Sequence, residues 1–190
     1  MEGRDVEISG AFSASANRRG VLQGVMPREA VGYLKGMLDD RTLALELCAG
    51  TGILTGALSR AGCRVIATES DRDRLAQLRR SLPGVPAVRS SDRELPIRSA
   101  SVGAVVLNVL TYPKSAQDNR LLLLQLAEVE RICRQTSLLI FVGPGPSDGG
   151  EAERDLLSAS MRQMPQAQES KYFAGSDRYV SVQISAWRWS

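Results

Sequence analysis

Histidine is absent from this 190-residue chain. Its absence removes the side chain most often used as a general base near neutral pH. The three cysteines, Cys48, Cys63 and Cys133, show no Cys-x-x-Cys spacing, so no metal site is expected. Long hydrophobic runs are missing as well. No apolar stretch approaches the ~18 residues that cross a bilayer, and the N-terminal residues lack the apolar core of a signal peptide. A cytoplasmic protein with reduced thiols and no membrane span is the expectation. Nor does one sign of charge dominate. Lys and Arg number 24 against 21 Asp and Glu, for a net charge of +3 and a pI near 9.0. Only Arg18-Arg19 and Arg79-Arg80 are paired, and no basic block is interleaved with aromatics, so nucleic acid is not indicated as a partner.

What is present suits one globular domain. A hydrophobic content of 43% and a mean hydropathy of −0.13 allow a core large enough for three layers. Residues 1–24 are polar and rich in Gly and Ser, so they are expected to form a flexible arm or a segment that orders over a ligand. Residues 25–190 are expected to form the single domain.

That domain is organised around residues 43–58. Leu43, Leu45 and Leu47 alternate with Ala44 and Glu46, and then Ile53, Leu54, Ala57 and Leu58 recur at helical spacing. The period changes from 2 to 3.6 across Gly50-Thr51-Gly52, which predicts a strand, a tight turn and a helix. Gly50 and Gly52 can take positive φ and let a ligand approach the backbone, while the helix start behind them offers unpaired N–H groups. Glu69 closes the next apolar run, Val65-Ile-Ala-Thr-Glu69, 17 residues beyond Gly52. An acid at the tip of the second strand is placed to accept from both ribose hydroxyls of a nucleotide-like ligand.

These residues resemble motif I of the class I S-adenosylmethionine (SAM)-dependent methyltransferases, usually Glu-Leu-Gly-Cys-Gly-Thr-Gly. The similarity is to the small-molecule, type 11-like branch, of which this chain looks like a divergent member. Glu46, Leu47, Gly50, Thr51 and Gly52 match, whereas Cys48 and Ala49 stand where the family usually has Gly and Cys. Losing that first glycine narrows the backbone choices there. A second stretch, Asp92-Arg93-Glu94-Leu95-Pro96, resembles the family's Asp-Ala-x-x-Leu-Pro segment. The resemblance implies SAM as cofactor, with adenine at Asp92 and the backbone of Arg93. It extends the cofactor-binding set to Glu46, Cys48, Ala49, Gly50, Thr51, Gly52, Glu69, Ser70 and Asn108.

The remaining chain is read in order. Pro27 opens a helix in its first turn, with Val31, Leu34, Met37 and Leu38 on one face. Gly62 ends the helix after the glycine turn, and a strand runs from about 64 to 69. Ser70 and Asp73 read as a capping box for a helix over 71–82, whose Leu75, Leu78 and Leu82 face the sheet. A short strand near 87–89 follows, and Ser101 to Asn108 reads as a buried strand. Ser115 and Asp118 cap a helix over 115–134 whose apolar face is Leu121, Leu124, Leu126 and Val129. Next come a strand over 137–142, a helix from 151 through Met161, and two closing strands at about 170–173 and 179–189. In the last of these, apolar and polar residues alternate, the pattern of an antiparallel pair. Trp187 and Trp189 read as packing residues. The expected fold is therefore α/β, a doubly wound, mostly parallel seven-stranded sheet ending in an antiparallel hairpin. Glu128-Val-Glu-Arg131 further resembles the family's Glu-x-x-Arg before the fifth strand.

Asn108, Thr111 and Tyr112 would lie at the carboxyl edge of the sheet, and Asn108 and Tyr112 are the candidates for lining a methyl-transfer pocket. Their spacing differs from the Asn-Pro-Pro-Tyr box of DNA amino-methylating enzymes, so that chemistry is not carried over. As plain loop residues they would only cap the following helix. The expected reaction is in-line methyl transfer to a small-molecule acceptor. Proximity and water exclusion, worth up to ~7–11 kcal/mol, remove the need for a dedicated base. Two alternatives stand beside it. One is a non-catalytic SAM-fold scaffold. The other is an NAD(P)-binding oxidoreductase, although Gly50-x-Gly52-x-x-x-Gly56 misses the dinucleotide spacing by one residue. A homodimer is an open option, and the acceptor is not specified.

Overall fold

Apolar runs too short for buried helices form the strands β1 (Leu43–Leu47), β2 (Arg64–Glu69), β3 (Ala87–Arg89), β4 (Val102–Asn108) and β5 (Cys133–Gly143), all mutually parallel. The computed structural model describes residues 26–91, 94–108, 116–143, 154–155, 158–159, 161–174 and 182–189. With β6 (Gln166–Phe173) and β7 (Val182–Arg188) the sheet has seven strands in the order β3-β2-β1-β4-β5-β7-β6. β7 runs antiparallel to both β5 and β6. The chain steps outward from β1 to β3, then crosses back to β4, so the strand order reverses between β1 and β4. Loops leaving the carboxyl ends on either side of such a reversal diverge and open a crevice for ligands.

Helices cover both faces. On one, α1 (Arg28–Met37) and α2 (Ile53–Arg60) bury Ala30, Leu34, Leu54 and Leu58 against Ala44, Ala104, Val106 and Ile140. α3 (Arg72–Ser81) joins that face, where Leu78 meets Ala49 and Ala67. On the other, α4 (Ala116–Ile132) sets Leu126, Val129 and Ile132 against Leu45, Leu107, Leu139 and Phe141. Trp187 and Trp189 belong to this second cluster, as packing residues. No helix among the described residues is long and apolar enough to cross a membrane.

Several boundaries differ from the sequence expectation. Pro27 is the N-cap of α1 and not a first-turn residue, because its ψ of 137° is extended. The cap of α3 is Asp71, not Ser70: Asp71 has an extended backbone, and its carboxylate accepts the N–H groups of Asp73 and Arg74. α4 stops at Ile132 and not at Arg134, since Cys133 already pairs with Val102 in the sheet. Residues 134–136 then bulge outward, with Thr136 at φ 68°, and the Ser137 hydroxyl donates to the Val102 carbonyl at 2.7 Å. Leu124, expected on the apolar face of α4, is 43% exposed, because the buried stripe follows 126, 129 and 132. β6 starts at Gln166, four residues ahead of expectation, and serves as a solvent-facing edge strand. In β7 both alternating sets are buried, because it lies between two neighbours under helices on both faces. Its Gln183 and Ser185 meet Ser170 by hydrogen bonds. The arm at 1–24, the Ser115 cap and most of the expected helix after 151 lie outside the described residues.

Leu139 is fully buried at the centre of β5. Truncation leaves a cavity between α4 and the sheet, so Leu139→Ala is expected to lose about 2–5 kcal/mol of unfolding free energy, read by urea titration.

Candidate functional site

The carboxyl ends of β1 and β2 come together in the turn that the glycines predict. After β1, Cys48 takes φ 55°, Gly50 59° and Gly52 90°, so the chain turns sharply and delivers α2. The Ala49 N–H extends the ladder to the Thr68 carbonyl at 2.9 Å, and the Gly52 N–H returns to the Ala49 carbonyl at 3.0 Å. A Cβ on Gly52 would stand 2.9 Å from Cγ of Leu78. Glycine there is required by packing as well as by φ. α2 begins with no side-chain cap and no acidic residue in its first turn, leaving N–H donors and the positive end of the helix dipole at the sheet edge.

Glu69 ties the two strand ends together and is 3% exposed. The Gly50 N–H donates to its Oε2 at 2.7 Å, and the Asp71 N–H donates to Oε1 at 2.8 Å. Arg74 approaches Oε1 at 3.5 Å. A carboxylate offers about four lone-pair sites, so acceptor capacity remains for ligand hydroxyls. The Ser70 hydroxyl leans on Oε1 at 3.4 Å, and the Ser70 carbonyl accepts from Nε of Arg89 at 3.1 Å.

Glu46 lies one strand away and is completely buried. The Thr55 hydroxyl, one turn into α2, donates to Oε2 at 2.6 Å. Oε1 has no partner. Burial drives the Glu46 carboxyl up to about 8, and the charge of Glu69 adds to the rise, against the lowering effect of the Thr55 hydroxyl. A buried carboxyl oxygen with no partner among the described residues, beside a helix start without a side-chain cap, is a site short of a hydrogen-bond partner, and a cation bound there would favour the ionised form. The cationic ammonium of an amino-acid ligand, or water carried with it, would supply one.

Cys48 pays the cost of standing where a glycine would be relaxed, about 1–2 kcal/mol for an L residue in the left-handed region. Its sulfur accepts from the Gln125 amide of α4 at 3.4 Å. The backbone shape of the turn is therefore kept without the usual glycine. Of the expected site residues, the structure gathers Glu46, Cys48, Ala49, Gly50, Thr51, Gly52, Glu69 and Ser70 at one edge. Asn108 ends β4 at the same edge, opposite Val142, and its side chain lies outside the described residues. Asp92, Arg93, Thr111 and Tyr112 also lie outside them. Sequence reasoning missed Thr55 and Gln125. Thr55 left a trace, a polar residue on the apolar side of a short helix. Gln125 interrupts the leucine run of α4.

A family model described as a methyltransferase domain matches residues 45–141, just over half of the chain. The chain belongs to this methyltransferase family. Uncharacterised methyltransferases of Mycobacterium tuberculosis and Mycobacterium bovis are each 34% identical over 104 residues, 55% of this chain and 41% of the relative. The chain thus matches about two fifths of the length of these curated relatives. Among solved structures, the Burkholderia thailandensis 1,6-didemethyltoxoflavin-N1-methyltransferase, bound to 1,6-didemethyltoxoflavin and S-adenosylhomocysteine, is similar with a TM-score of 0.69. It is 18% identical, over 96% of this chain and 87% of that one. The magnesium protoporphyrin IX methyltransferase of Synechocystis, with bound SAM, has a TM-score of 0.62 at 13% identity, over 100% of this chain and 87% of that one. At such identities these two likenesses speak for the fold of the methyltransferase family.

The Glu46 carboxyl makes a prediction with a definite sign. Between its ordinary value of 4.5 and about 8 the folded protein keeps a proton that the unfolded chain releases. Stability attributable to this group therefore falls as pH rises through that window. Glu46→Gln cannot ionise. It is expected to be more stable than the parent at pH 8.5 by on the order of a few kcal/mol and to approach the parent at pH 4.5. Urea titrations across this range check it, and parallel curves for the two proteins would refute it.

Proposed function

We propose that this protein is a SAM-dependent methyltransferase that transfers a methyl group in line to a small-molecule acceptor. The observation that carries the reading is the pairing of a left-handed glycine turn with two buried carboxylates. One of these is anchored to the turn by a backbone N–H, and the other has a hydroxyl donor on one oxygen and no partner among the described residues on the second. The sheet order supports one layout of the ligand. With the base toward the segment after β3 and the sugar at Glu69 on β2, the sulfonium and amino-acid end falls at the turn after β1, facing β4. Asn108, at the end of β4, and Tyr112, four residues on in the sequence, would be the candidates for lining the methyl-transfer pocket. When bound, SAM supplies an electrophilic methyl group on a sulfonium sulfur.

The chain's own residues do the rest. Glu69 would hold the ribose hydroxyls, Asp92 and the Arg93 backbone the adenine edge, and Gly50 to Gly52 the close approach of the backbone. Thr51, Ala49 and Cys48 shape the same turn, Ser70 follows Glu69 at the end of β2, and Glu46, once ionised, would accept from the ammonium group. Burial of the sulfonium beside an oriented acceptor lowers the barrier by proximity, which suits a chain with no histidine. The small-molecule acceptor draws support from the toxoflavin-precursor and porphyrin methyltransferases that share the fold. The three cysteines, none of them in a disulfide among the described residues, suit a cytoplasmic setting.

A dinucleotide oxidoreductase is the poorer fit, because β7 inserts antiparallel between β5 and β6 where the dinucleotide fold continues a parallel order. A scaffold without cofactor is the poorer fit too, since Cys48 adopts the left-handed turn in spite of its side chain.

Calorimetric titration with S-adenosylhomocysteine tests the proposal. The parent protein is expected to bind it and to ignore NADP. Glu69→Gln is expected to bind about 10-fold to 100-fold more weakly, the range given by ~1.5–3 kcal/mol for a hydrogen bond to a charged group. Absence of binding by the parent, or equal affinity of the variant, would remove the assignment.

A further inference from the structure

α4 carries a polar stripe that touches both the turn after β1 and the segment that leads from β3 to β4. Gln125, Glu128 and Arg131 stand at spacings of three residues, so they share one side of the helix. Gln125 is 6% exposed and donates to Sγ of Cys48 in the turn after β1, 77 residues away in the chain. Three and six residues later the same helix grips the segment that continues from Asp92 and Arg93. Oε2 of Glu128 accepts the Leu95 N–H at 2.9 Å. Arg131 donates to the Leu95 carbonyl at 3.0 Å, the Ile97 carbonyl at 3.0 Å and the Ser99 hydroxyl at 3.1 Å. Glu128 and Arg131 are themselves joined in a bidentate pair, with both contacts at 2.8 Å.

This arrangement is more elaborate than stability requires. Arg131 is 36% exposed in its ion pair, and exposed pairs contribute little to folding. What a bidentate guanidinium supplies is fixed geometry. Here it specifies where three successive acceptors of the 95–99 segment lie relative to the helix. The Arg131 guanidinium holds the Glu128 carboxyl below its usual range, so the clamp stays charged at neutral pH.

We propose that Gln125, Glu128 and Arg131 are positioning residues for the cofactor, and that α4 is a strut setting the distance between the amino-acid end and the base end of its cleft. Gln125 fixes the turn under the amino-acid arm. The Glu128–Arg131 pair fixes the segment that follows the base-binding residues. This inference rests on the SAM reading above, and it adds that the segments at two ends of one ligand are positioned by different residues of one helix.

The test compares two ligands in the full chain. S-adenosylhomocysteine has both ends, whereas 5′-methylthioadenosine keeps the nucleoside and lacks the amino-acid arm. Arg131→Lys, which keeps the charge but loses the fork, is expected to weaken both ligands by the same factor, about tenfold. Gln125→Leu is expected to weaken S-adenosylhomocysteine about tenfold and to leave 5′-methylthioadenosine within about twofold. Glu128→Gln retains an acceptor for Leu95 and should lie between the parent and Arg131→Lys. Leu124→Ala, on an exposed position of the same helix, is the control and should match the parent. Melting temperatures are measured alongside. The proposal is overturned if the variants bind both ligands like the parent, or if both affinities fall only in step with melting temperature whichever residue is changed. No binding of S-adenosylhomocysteine by the parent would instead defeat the underlying cofactor assignment, and the strut with it.

Discussion

A single carboxylate fastens the working edge of this molecule. Glu69 accepts one backbone N–H from the turn after β1 and one from the start of α3, and it does so almost out of solvent. A buried acid left without donors would cost several kcal/mol, so its two amide partners are a condition of the fold as well as of the site. Because Gly50 must present its N–H toward β2, the turn has to run through left-handed conformations. The chain can leave that turn directly into α2 only because Gly52 has no Cβ to strike Leu78. The positions of α2 and α3 over one face of the sheet follow from that hub.

The hub also explains the strain beside it. Glu46 and Glu69 lie on adjacent strands, and the charge of one raises the proton affinity of the other. Glu69 has backbone donors on both oxygens, whereas Glu46, among the described residues, has the Thr55 hydroxyl on one oxygen and no partner on Oε1. The backbone thus answers one carboxylate, while the other is left for a ligand to answer. Such division between neighbouring acids is common at functional edges, where unmet polar groups persist because binding satisfies them.

Much of this was legible in the chain. The switch in period across Gly50-Thr51-Gly52, the acid closing the second apolar run and the late alternating strand together indicate the sheet order and its antiparallel end. Local rules were weaker where two residues could do the same job. Ser70 and Asp71 are both good caps, and only the extended backbone of Asp71 decides between them. The leucine run of α4 hides its own phase, since adjacent leucines satisfy either stripe; burial selects 126, 129 and 132 and leaves Leu124 in water. Contacts such as Gln125 to Cys48 had no local signal at all, because a glutamine amide chooses its partner by tertiary packing.

The substitution of a cysteine for the expected first glycine shows how such long-range contacts matter. An L side chain in the left-handed region disfavours the turn by an amount comparable to one good hydrogen bond. A turn destabilised by that much would open often enough to loosen everything Gly50 holds, Glu69 included. It stays closed because the neighbouring residues over-determine it: Ala49 is tied to Thr68, Gly52 to Ala49, Gly50 to Glu69, and the cysteine sulfur to α4. The departure from the family pattern at Cys48 is thus compensated within the turn itself and by one contact from α4, on the opposite face of the sheet from α2. A chain that kept the cysteine but lost these ties would have the motif in its sequence and not its shape.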